Sequence, residues 1–151
     1  MIRSVGAFLM AVLVTYAIGA VLATQHVLGA LTMMGMNIDF GIWAHATIHD
    51  LFGMFLTYAP LIGVAFLLAL PVILLVCRNR PGWRWIGYVA GFFTAIVVMH
   101  LIMPLVLNVN PVPATRLFTG LMMQGLAGGV GGYVFFMLGR SPALEAAAAD
   151  D

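Results

Sequence analysis

L-F-G-M-F-L-T-Y-A-P-L-I-G-V-A-F-L-L-A-L-P-V-I-L-L-V, residues 51–76, runs without one charged side chain. About 18 uncharged apolar residues already suffice to cross the hydrocarbon of a bilayer. The run is continuous rather than alternating, so it reads as a helix and not as a barrel strand. A helix satisfies its own backbone where no water can do so. Three more stretches have the same character, at about 5–23, 85–107 and 117–138. The expected fold is therefore all-α: a polytopic membrane protein with four transmembrane helices in one bundle over 1–140. A short, acidic, Ala-rich tail follows at 141–151.

Composition agrees with that reading. The 151 residues are 64% hydrophobic and 7% charged, where a soluble domain has about 25% charged residues. A soluble fold of this size has too much surface to hide so much apolar area. The net charge of +1 gives no electrostatic footprint for nucleic acid. V-L-A at 21–23 resembles the cleavage site of a secretory leader. The apolar stretch before it is longer than a usual signal core, so it is expected to stay as a helix.

The basic residues are all arginines. In a four-span topology Arg3, Arg78, Arg80, Arg84 and Arg140 fall on one side and Arg116 on the other. The positive-inside rule then puts both termini in the cytoplasm of a bacterial inner membrane, with 24–50 and 108–116 as outward loops. The lone cysteine, Cys77, is expected to be a small buried apolar residue, with palmitoylation as the alternative.

Small residues repeat at helix-packing intervals. Gly125 and Gly129, Gly128 and Gly132, and Gly87 and Gly91 are each spaced for close backbone approach in lipid. They serve packing within the chain, a homo-oligomer, or a larger membrane complex. Pro60, Pro71 and Pro104 lie inside spans, and each removes a backbone hydrogen bond.

The polar residues sort by depth. Near the outer ends stand His26, His45, His49, Asp50, Asn108, Asn110 and Arg116. About 10–13 Å further in, at helical rise, stand Thr15, Tyr16, Thr57, Tyr58, His100 and Gln124. Every span thus brings a polar group to one depth. Asp50, Met54, Thr57 and Tyr58 share a helix face, as do Arg116, Thr119, Met123 and Gln124. If these faces meet, Asp50 pairs with Arg116 and Tyr58 and Gln124 approach His100.

W-A-H-A-T-I-H-D, residues 43–50, carries the one metal-like motif. His45 and His49 are one helical turn apart, a spacing at which two imidazoles chelate one ion. Asp50 is a candidate third ligand or second-shell partner, and His26 comes from nearby. Such a set suits copper, zinc or iron, and Met33, Met34 and Met36 would favour Cu(I). The glutamate of H-E-x-x-H is missing, which disfavours a metalloprotease. Haem would need two facing histidines, and His49 and His100 differ by about 13 Å in depth. No phosphate loop, dinucleotide fingerprint or nucleophile motif is present.

Three functions remain open. One is binding or transport of a small ligand or metal ion through a polar site open to the periplasm. Another is an accessory subunit packing by its glycine faces. The third is a haem or copper redox protein.

Overall fold

The computed structural model describes residues 2–78, 81–107 and 112–139. It is all-helical: α1 (Ile2–Met33), α2 (Phe40–Gly53), α3 (Phe55–Val76), α4 (Arg84–Leu107) and α5 (Phe118–Gly139). Four of these, all but α2, are long and apolar enough to span a membrane. The chain is thus an integral membrane protein built as a helical bundle. The tail 141–151, and Arg80, Asn108, Asn110 and Arg140, lie outside the described residues.

The outer loop expected over 24–50 is mostly helix. α1 continues to Met33 because nothing between Thr24 and Met33 breaks it. It stops at Gly35, whose φ is +86°. The Met36 amide bonds the Leu31 carbonyl at 3.2 Å and the Gly35 amide bonds that of Thr32 at 3.0 Å. This left-handed stop is a Schellman motif, which glycine accommodates without strain. Four residues later Asp39 restarts the chain as a helix by accepting from the Ile42 amide at 2.8 Å, an N-cap. α2 then runs back along the end of α1. At Met54 the helix breaks, beside Gly53, and α3 continues onward. The second span therefore begins at Phe55 rather than Leu51. α3 and α4 run through Pro60, Pro71 and Pro104.

α5 is the centre of the bundle, sharing its largest interfaces with α4 and α1. Its glycines make this possible. A Cβ on Gly132 would strike the Tyr88 carbonyl of α4, and one on Gly128 would lie 2.7 Å from that of Phe92. A Cβ on Gly131 would strike Thr15 of α1 and lie 2.9 Å from the Ala11 carbonyl. The glycine pairs of α5 are thus spent inside the chain. Beside them Phe66 of α3 stacks on Phe92 of α4, with Ile62 and Ile96 fully buried next to the pair. Leu56, Leu68, Leu105 and Leu126 face outward, as lipid-facing side chains do.

Candidate functional site

At the deep layer four helices meet through three side chains. Tyr58 of α3 donates to Gln124 Oε1 of α5 at 2.8 Å. Its hydroxyl also lies 3.2 Å from His100 Nε2 of α4. Gln124 donates to the Gly19 carbonyl of α1 at 2.9 Å. His100 Nδ1 is 2.9 Å from the Ile96 carbonyl one turn back. A Cβ at Gly19 would come 2.7 Å from Gln124 Oε1, so the amide would have to shift to make room. Tyr16 closes the upper side, edge-on to Tyr58 and bonded to the Leu51 carbonyl at 2.6 Å.

The cluster is sealed: none of Tyr16, Tyr58, His100 and Gln124 is more than 4% exposed. The expected gathering of Tyr16, Tyr58, His100 and Gln124 is present. Thr57 is not part of it. It is exposed, because α3 starts afresh at Met54 and turns Tyr58 and Ala59 inward instead. Thr15 is buried close by, its Oγ1 without a hydrogen-bond partner among the described residues.

Above this layer α1 and α2 are clasped by polar bonds. The Thr24 hydroxyl, with one hydrogen to give, lies 2.8 Å from Asp50 Oδ2 and 3.0 Å from the Ala20 carbonyl. Gln25 donates to Thr47 at 3.2 Å. Asp50 therefore has its partner on α1, and the expected Asp50–Arg116 ion pair does not form. Arg116 sits exposed in a 3₁₀ turn, Pro113–Arg116, that leads into α5.

The histidines do not converge as a set. His45 and His49 stack on the exposed face of α2, ring centroids 6.4 Å apart. His49 Nδ1 lies 3.6 Å from Asp50 Oδ1. His26 is on α1, not in a loop, with its Nε2 buried and unpartnered among the described residues. Among those residues no three His, Cys, Asp or Glu side chains gather as a metal site. His26 therefore does not join His45, His49 and Asp50 as expected. His100 has both ring nitrogens engaged within the cluster, so it does not face His49 across a slot.

Two concavities lie elsewhere. A shallow hollow of about 560 Å³ sits in the α1–α2 hairpin against Phe40, Trp43 and Thr47. A groove of about 730 Å³ runs along the outside of α3 and α4, from Cys77 and Gly87 at one end to Val106 at the other. Gly87 and Gly91 let Cys77 and Ile73 lean onto α4 at its floor. Cys77 is buried and free. Ala90, Thr94 and Val98 form an exposed stripe on its wall.

Sequence reasoning missed Gly19, Thr24, Gln25 and Thr47. Their signal was available only once 24–33 was read as helix, since Thr24 and Gln25 then face α2. Comparison with protein-family profiles, with curated proteins and with solved structures finds no match to this chain.

Proposed function

We propose that this protein is an accessory subunit of a bacterial inner membrane, both ends in the cytoplasm, that seats a transmembrane helix of a partner between α3 and α4. The observation that carries this reading is the groove. It is apolar, it is open to the side, and it runs most of the length of two spans. Helices in lipid associate where small side chains permit close approach. Ala90 and Thr94, four apart and exposed, supply that on α4. Gly125, Gly128, Gly131 and Gly132 of α5 cannot serve a partner, since α1 and α4 already cover them. A ligand or transport site open to the periplasm draws less support, because the deep polar layer is closed and bonded internally.

A photo-crosslinking side chain at Thr94, activated in native membranes, tests this. A discrete protein adduct at Thr94, absent from the same probe at Leu126 on α5, is expected. An adduct of twice the chain mass would make the partner a second copy. No protein adduct at Thr94 would sink the reading.

A second reading rests on His45 and His49. Their rings stack one turn apart on an exposed face, with Asp50 behind His49. Two imidazoles one helical turn apart can chelate a transition metal, and the Asp50 carboxylate lies close enough to His49 to move into an orienting bond on metal binding. Copper or zinc near one per purified chain, lost on replacing both histidines by alanine, supports it. Metal-free protein rejects it.

A further inference from the structure

The polar cluster holds more acceptors than hydrogens. His100 Nδ1 lies 2.9 Å from the Ile96 carbonyl. A carbonyl can only accept, so Nδ1 carries a hydrogen, and in the neutral ring Nε2 is a bare acceptor. Gln124 is fixed by the same logic. Its nitrogen lies 2.9 Å from the Gly19 carbonyl, so its Oε1 faces Tyr58. The flipped amide would set two carbonyl oxygens against each other. Between these two acceptors stands one hydroxyl with one hydrogen. Tyr58 is 2.8 Å from Gln124 Oε1 and 3.2 Å from His100 Nε2. Whichever acceptor it leaves has no other donor among the described residues, and a buried polar group left without a partner carries a cost.

We infer that His100 Nε2 is a binding site for one proton. With the proton in place every bond runs one way. The imidazolium Nε2–H donates to the Tyr58 oxygen, the Tyr58 hydroxyl to Gln124 Oε1, and the Gln124 amide to the Gly19 carbonyl. The chain of bonds then ties α4 to α3, α3 to α5, and α5 to α1. Without it the Tyr58 hydroxyl has two competing acceptors and two rotor positions. Proton binding therefore selects one bonded state of the helix junction.

No charged side chain bonds to this site among the described residues. α3 contributes Tyr58 itself. α1 contributes Tyr16, whose ring centroid is 6.0 Å from that of Tyr58 and whose hydroxyl turns to Leu51. α5 brings the uncharged Gln124. Asp50 on α2 is held by Thr24, and Arg116 is exposed. The oriented dipoles of Tyr58 and the Ile96 carbonyl are what receives the charge. Ionisable groups inside the membrane are costly, and where they occur they face partners in the bundle interior, proton relays among the roles they serve.

The full chain, ¹⁵N-labelled at histidine in phospholipid nanodiscs, tests this by NMR from about pH 8 to about pH 4, the span in which histidines titrate. His100→Asn identifies the signal. The expected result is a change from one ring N–H to two at His100, separate from His45 and His49. Tyr58→Phe, which leaves Nε2–H no acceptor, should weaken that proton binding about tenfold. A His100 that keeps one ring hydrogen at every pH where the fold persists overturns the inference. So does an unchanged proton affinity in Tyr58→Phe. If that variant does not fold, the titration of the native chain decides alone.

Discussion

Single glycines decide how close these helices stand. Gly132 meets the Tyr88 backbone, which cannot swing aside as a side chain can. Gly132→Ala should therefore lower stability by about 1–3 kcal/mol, as overpacking does. Gly6→Ala meets nothing within 4 Å and should be neutral to slightly stabilising, by the helix preference of alanine over glycine. Unfolding of both variants in detergent by a common denaturant checks this. Equal stability would mean α4 and α5 separate without cost. Gln124 is the polar counterpart. Gln124→Leu removes the bond that ties α5 to the Gly19 carbonyl, which keeps its own helical partner, and should cost about 1–2 kcal/mol, the range of interhelical hydrogen bonds in model membrane helices. At this scale much of the site was legible. Tyr16, Tyr58, His100 and Gln124 share a depth that rise per residue alone predicts. Thr57 and the Asp50–Arg116 pair were misread because both rested on an unbroken helix through Met54. No count of apolar residues reveals that break.

At the scale of elements, the four spans follow from continuous hydropathy, but the hairpin between α1 and α2 follows from caps. Gly35 stops one helix and Asp39 starts the next. Both are ordinary cap signals, yet a window tuned to apolar length passes over them and sees a loop. α2 is also too short to be counted as a span. The caps are therefore where the hairpin is vulnerable. Asp39→Ala removes the Ile42 bond and should cost about 1 kcal/mol. Gly35→Ala forces a side chain into a left-handed conformation, at about 1–2 kcal/mol. Neither residue touches the transmembrane interfaces described above. Faster amide hydrogen exchange in α2, with α4 and α5 unchanged, is the expected pattern for both. Exchange rising equally across all helices would show that α2 opens only with the whole bundle.

The whole molecule is longer at one end than a bilayer is thick. α1 has 32 residues, about 48 Å at helical rise, against a hydrocarbon core of about 30 Å. α3 and α5 have 22 residues each, about 33 Å by the same rise. The start of α1 is level with the end of α5, because Arg3 Nε donates to the Leu138 carbonyl at 3.2 Å. All the excess of α1 therefore stands at its far end, where α2 folds back beside it. Arg3 and Arg84 lie near the opposite ends of α1 and α4, and Arg78 just past α3, so in the proposed orientation, argued from the positive-inside rule, the hairpin would stand away from the cytoplasm. The tip is apolar all the same: Met33 is 91% exposed and Phe40 87%. This arrangement predicts a labelling pattern. In a Cys77→Ala background, Met36→Cys should react with a membrane-impermeant maleimide added to intact spheroplasts. Gly82→Cys, in the turn before α4, should react only in inverted vesicles. The reverse pattern would place the termini outside. Protection of Met36→Cys from both sides would mean that the hairpin lies down into the bilayer surface, burying its methionines in lipid instead of standing clear of it.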